Sequence, residues 1–270
     1  VLYKLLSALE NLWPMEVLSR EEEEWLAESF NVFLDYSLQL IRKHRILFPP
    51  HYRPSMLRLE YLLRCLGLLS TMKAYWKCCP FNKEVRGEIL TALKKGTLEW
   101  YEEHHKLVSN TRADPDIRIH ALVKLTTILV VDLHRGLDYY NALFESTNGV
   151  PYFCTIYKQL DKMVVNEFGP EINTLCHHLR VTELGAEPPT LPPGAEIGTS
   201  IFELYLSVQE FVSLRDQLPE YKAFSVHSYY EWFEPAVDKW LDLAKFKALN
   251  RIRKAAELNR YCTGDYIVKH

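Results

Sequence analysis

Apolar residues recur along most of this chain at three- and four-residue steps, the period of an amphipathic helix rather than the two-residue alternation of a strand. Leu2, Leu5, Leu6, Leu9 and Leu12 open the pattern. Ser19-Arg20-Glu21-Glu22 then reads as a capping box: the serine oxygen accepts from the third amide and the glutamate reaches back. The acidic run Glu21 to Glu24 suits the positive end of the helix dipole. Behind it Trp25, Leu26, Phe30, Phe33, Leu34, Leu38 and Ile41 predict one apolar stripe on a long helix, ended by Pro49, Pro50 and Pro54.

A second helix is predicted from about Ser55, with Leu57, Leu59, Leu62, Leu63, Leu66 and Leu69 on its stripe. A third starts near Asn82 and uses Val85, Ile89, Leu93, Leu98, Tyr101 and Leu107. Asp114-Pro115 is a helix start, with the aspartate as cap and the proline in the first turn. The segment from Asp116 to about Phe144 is apolar nearly all round, which predicts burial on several sides; Asp132, His134 and Arg135 argue against a membrane span. Asn148-Gly149-Val150-Pro151 is a turn, followed by predicted helices from Pro151 to Glu167 and from Pro170 to Glu183.

Composition shifts next. Four prolines and two glycines fall between Gly185 and Gly194, so 185–198 is predicted to be an exposed linker between an upstream helical region, 1–184, and a downstream one, 199–270. Thr199 or Ser200 is placed to cap a helix carrying Phe202, Leu206, Val208, Phe211, Val212 and Leu218, with Pro219 as its breaker. A last helix is predicted from about Pro235 to Asn259. The fold class is therefore all-α: an elongated stack of bundles built from helices of up to about 30 residues, each about 40 Å long.

Only 10 glycines in 270 residues leave few tight turns for an all-β fold, and a formal charge of −3 gives no global attraction to nucleic acid. Six cysteines include no Cys-x-x-Cys pair, which fits reduced thiols better than a disulfide framework. No secretory signal and no apolar run long enough for a bilayer are visible, and the pattern is already running at Val1, as in a piece of a longer protein.

Signatures of chemistry are missing. There is no nucleophile elbow, phosphate-binding loop, dinucleotide fingerprint or His-Glu-x-x-His motif, so no catalysis and no cofactor are expected. Glu102-Glu103-His104-His105 holds one Glu-x-x-His without a second copy, and Cys176-His177-His178 does not converge on one ion. The first reads better as a solvated helix face, the second as a half-buried cysteine beside two surface histidines. The last helix does have a charge asymmetry: Lys245, Lys247, Arg251, Arg253, Lys254 and Arg260 face only Glu257. A basic stripe of this kind suits an acidic lipid surface or an acidic partner helix.

Phe202-Glu203-Leu204-Tyr205, Glu210-Phe211, Leu218-Pro219-Glu220-Tyr221 and above all Trp232-Phe233-Glu234-Pro235-Ala236-Val237-Asp238-Lys239-Trp240-Leu241-Asp242 resemble the first Munc homology region of the MUN-domain, or Munc-thirteen, family. The resemblance covers about Thr199 to Asn259. On local chemistry alone, Pro235 starts a helix, Trp232 and Phe233 staple that start, and Val237, Trp240 and Leu241 form an inward stripe. The resemblance implies a helical rod similar to subunits of vesicle-tethering complexes. It implies binding of SNARE proteins (syntaxin-like) and SNARE complexes, and action in vesicle docking, priming and exocytosis. It also implies a cytoplasmic location, peripheral to a vesicle or the plasma membrane. Neuronal members carry an Asn-x-x-Phe pocket used in opening syntaxin. Thr199 and Phe202 occupy the matching positions, with threonine where the family has asparagine. The alternative is a general helical scaffold or tethering subunit in endosome or Golgi traffic that does not open a SNARE.

Overall fold

The three- and four-residue apolar steps are realised as helix nearly throughout a computed structural model, which describes residues 1–13, 18–108, 114–178, 194–218 and 224–261. The helices are α1 (Leu2–Leu12), α2 (Arg20–Arg42), α3 (His44–Leu47), α4 (Arg53–Thr71), α5 (Lys73–Cys78), α6 (Val85–Val108), α7 (Pro115–Arg135), α8 (Ala142–Asn148), α9 (Tyr152–His178), α10 (Gly194–Ser213) and α11 (Glu234–Tyr261). A π-helical turn, Gly136–Asn141, joins α7 to α8, and 3-10 helices span Leu214–Gln217 and Ser225–Phe233. Among the described residues there is no strand, so the fold is all-α.

Local chemistry explains the starts. The capping box at Ser19 is complete: Glu22 Oε2 accepts from the Ser19 amide at 2.8 Å and the Ser19 hydroxyl accepts from the Glu22 amide. Asp114 caps α7 by accepting from the Asp116 amide at 2.9 Å, with Pro115 in the first turn. Gly149 takes the left-handed conformation, φ 61°, that ends α8.

Several boundaries differ from the sequence expectations, each for a visible reason. The first long helix stops at Arg42, before any proline, because α3 turns away to bury His44. Pro54 starts α4 instead of ending α2, since the first turn of a helix does not use the missing N–H. The segment after Asp116 does not run to Phe144 as one α-helix: the π-helical turn re-aims Tyr140, whose hydroxyl donates to the Phe48 carbonyl at 2.9 Å. Pro170 interrupts nothing; it lies inside α9. Helix α10 starts at Gly194, so Thr199 is in its interior and is not a cap. Residues 185–193 of the expected linker lie outside the described residues, as do Pro219 to Tyr221 and Cys262. Trp25, Leu57, Leu98 and Leu107, expected on inward stripes, are exposed because the buried faces are narrower than the apolar runs.

Helices meet in succession. α1 packs on α4 and α5, these on α2, α2 on α6, α6 on α7 and α9, α7 on α10, and α9 on α11. The tightest crossing is α2 with α6, where Gly96 lies against the Arg42 backbone; a Cβ there would overlap the Arg42 carbonyl oxygen. At the centre Arg45 donates through Nε to both oxygens of Asp132 at 3.0 and 2.9 Å. Its remaining nitrogens reach the Thr97 hydroxyl at 3.3 Å, and the guanidinium lies 4.8 Å from the centre of the Trp100 ring. Beside it His44 is fully buried. Its Nδ1–H donates to the Ile41 carbonyl at 2.8 Å and its Nε2 accepts from the Tyr152 hydroxyl at 2.7 Å, a pattern that requires the neutral ring.

Burial, and secondarily the charge of Arg45, push the His44 pKa down to about 3. In the unfolded chain a histidine titrates near 6.5. Between these values the unfolded state binds a proton that the folded state does not, so stability falls as pH drops from about 6.5 towards 3, by up to about 1.4 kcal/mol per pH unit. Urea unfolding of the wild type and of His44→Gln at pH 7, 6 and 5 measures this. The variant is less stable at pH 7 but has a shallower decline; equal slopes would show that His44 is not held neutral.

Candidate functional site

Three contacts fix the start of α11. The buried Asp161 carboxylate on α9 accepts the amides of Ser225 and Val226, both at 3.0 Å, and so caps the 3-10 helix that leads into α11. Phe233 and Ala236 are buried, and Trp232 lies so close to Gly169 that a Cβ there would sit 3.2 Å from its ring. Lys239 Nζ donates to the carbonyls of Cys176 at 2.9 Å and His177 at 2.6 Å, which satisfies the open C-terminal end of α9. These bonds set the rotation of α11. The inward positions are Phe233, Ala236 and, partly, Trp240; Val237 and Leu241, expected inward, face solvent, Leu241 with 63% of its surface exposed.

Beyond Trp240 the helix leaves the body. No residue from Leu241 to Asn259 is buried. At about 100° per residue, Leu241, Ala244, Ala248, Ile252 and Ala255 fall on one face. Lys247, Arg251 and Lys254 border that face on one side and Lys245 on the other, while Arg253 lies on the far side of the helix. None of these cations forms an ion pair among the described residues.

The second predicted position meets this face at its N-terminal end. In α10 the core side is Ile201, Leu204, Val208 and Phe211, with Phe211 stacked on Tyr157 at 5.2 Å. Phe202 and Leu206 are turned outward, and Phe202 is 48% exposed. Its ring stacks on Tyr205 at 6.5 Å and meets Trp240 edge to face at 6.3 Å. Phe202 and Trp240 thus stand at the N-terminal end of the α11 stretch that carries Lys245, Lys247, Arg251 and Lys254, a stretch about 20 Å long from Leu241 to Ala255. Thr199 precedes Phe202 by one turn of α10; its side chain lies outside the described residues, as does that of Arg260. Sequence reasoning passed over Ala244, Ala248 and Ile252, although alanines four apart inside a cationic helix signal a face open to close helix packing.

The other sequence candidates have local partners. His104 Nδ1 donates to the Trp100 carbonyl at 2.7 Å, and Cys176 is buried with its thiol pushed up to about 11, chiefly by burial. No group of three or more His, Cys, Asp or Glu residues is placed to hold a metal among the described residues, and no described helix is long and apolar enough to cross a membrane. A cavity of about 700 Å³ between α1, α2 and α4 is lined mainly by apolar and aromatic side chains, including Tyr36, Phe48 and Tyr61, without converging acids.

Over 269 residues the chain is 28% identical to unc-13 homolog D of Homo sapiens, covering 98% of this chain and 23% of that protein. Over 255 residues it is 29% identical to BAI1-associated protein 3 of Mus musculus, covering 94% of this chain and 21% of that protein. It is 29% identical over 185 residues to unc-13 homolog 4B of Drosophila melanogaster, 66% of this chain and 16% of that protein. The chain spans about a fifth of the length of the curated relatives it matches. No family model matches the chain, and no solved structure matches it significantly.

The geometry separates Phe202 from its neighbours in stability. Phe202→Ala removes two exposed ring contacts and is expected to cost about 1 kcal/mol, whereas Phe211→Ala in the core costs about 3–5 kcal/mol. Denaturant melts of both variants check this. Equal losses would place Phe202 in the core.

Proposed function

We propose, for a chain homologous along almost its whole length to the unc-13 and BAI1-associated protein 3 group of MUN-domain proteins, that it is a non-enzymatic helical module of a vesicle priming factor that binds SNARE helices on the α10–α11 face. The observation that carries this reading is the Phe202–Trp240 step running into an exposed, cation-edged apolar face. A partner helix laid along α11 would bury Phe202, Leu241 and Ile252, and cations on its borders would fix register against an acidic partner. Alanines at 244, 248 and 255 bury little area in a bilayer but allow a helix to approach closely, which favours an acidic helix over an acidic lipid surface. On this reading the chain works at the cytoplasmic side of a vesicle or plasma membrane, as a peripheral component.

Titration of the chain against isolated syntaxin-like SNAREs and assembled SNARE complexes tests the proposal. Phe202→Ala and the triple change Lys247→Glu, Arg251→Glu, Lys254→Glu are each expected to weaken binding at least tenfold, about 1.4 kcal/mol. Thr199→Asn, which restores an amide that both donates and accepts, is expected to strengthen binding to syntaxin. Binding left unchanged by the first two variants would favour a scaffold or tethering role without SNARE engagement.

A further inference from the structure

Helix α2 carries an unpartnered face of the opposite character to that of α11. Trp25, Val32 and Tyr36 fall on one line along it and are 66%, 63% and 61% exposed. Glu21, Glu24, Glu28 and Asp35 border that line on one side, and among the described residues only Glu24 of these forms an ion pair, with Arg20. The core side of the same helix is satisfied by Phe30, Leu34 and Ile41. A row of large side chains, aromatic at both ends, with acids along one edge is not explained by packing among the described residues.

The two faces match in four respects. Trp25 and Tyr36 are eleven residues apart, about 16 Å along α2, and the α11 face holds the same spacing between Leu241 and Ile252. The α2 face projects bulky side chains, whereas the α11 face has recesses at Ala244, Ala248 and Ala255. Acids edge one and Lys247, Arg251 and Lys254 edge the other. The two helices pack on different neighbours, α2 on α3 to α6 and α11 on α9 and α10.

We infer that α2 of one copy docks on α11 of a second copy, with Trp25, Val32 and Tyr36 seated over the alanine recesses and the acidic edge along Lys247, Arg251 and Lys254. Each copy has both faces, so association either closes into a reciprocal pair or continues head to tail. The inference does not depend on SNARE binding, although both would use α11, so self-association would compete with a partner helix.

Sedimentation velocity of the 270-residue chain over a concentration series, at low and high salt, reads the effect. The wild type is expected to self-associate, more weakly at high salt. Variant X carries Glu21→Lys, Glu28→Lys and Asp35→Lys; variant Y carries Lys247→Glu, Arg251→Glu and Lys254→Glu. Each alone should be at least tenfold weaker in self-association, and an equimolar mixture of X and Y should associate again, because each supplies the face that the other lacks. Ala248→Trp, which fills a recess on an exposed turn, should abolish self-association while leaving the melting temperature unchanged. A wild type that stays monomeric throughout, or an X and Y mixture that fails to associate, overturns the inference. Variant X keeps α11 intact, so it should retain SNARE binding while losing self-association; loss of both together in X would also contradict separate roles for the two helices.

Discussion

One guanidinium organises the middle of the molecule. Arg45 and Asp132 are both withdrawn from water, with side chains only 7% and 8% exposed, and their pairing is complete only because α3, α6 and α7 meet there. Asp132 accepts two bonds, Thr97 from α6 accepts two more, and Trp100 offers its ring face. A buried pair of this kind contributes little net stability over an apolar substitute, but losing one partner strands the other at a cost of about 3–5 kcal/mol. It therefore acts as a register lock. The short α3 must leave the line of α2, α6 must present Thr97, and α7 must present Asp132 in a stretch that is otherwise apolar.

The same constraint reaches the surface. α7, held through Asp132, supports α10, and α9, tied to the centre through Tyr152 and His44, supports the 3-10 segment and α11. Along α9 polar contacts recur where the chain changes direction: Asp161 caps the segment before α11, and the carbonyls of Cys176 and His177 receive Lys239. These contacts decide which side of α11 faces out. A rotation of one residue would bury Leu241 and expose Ala236, and the cation-edged face would disappear.

Much of the fold was readable in the sequence because it rests on local rules. The box at Ser19, the Asp114-Pro115 start and the Trp232-Phe233-Glu234-Pro235 junction are short-range chemistry, and the structure forms all three. Readings that depended on which side of a helix meets a neighbour fared worse. Trp25, Val237 and Leu241 look inward by hydrophobicity and lie outward, because a helix stripe is chosen by distant partners such as Lys239 and Arg45, whose bonds span 52 or more residues. Pro170 looks like a break and is not, because a packed helix tolerates a lost N–H. Phe202 was legible as a position, but its contact with Trp240 was not.

We propose that α11 beyond Trp240, together with Phe202, receives a partner helix. Amide hydrogen exchange of the chain with and without an assembled SNARE complex measures this, since amides on an exposed helix exchange fast unless covered. A docked helix slows exchange from Leu241 to Ala256 and around Phe202, with little change in the already protected core at Leu129 and Leu160. Unchanged exchange along α11 under saturating complex, or protection confined to other helices, would contradict it.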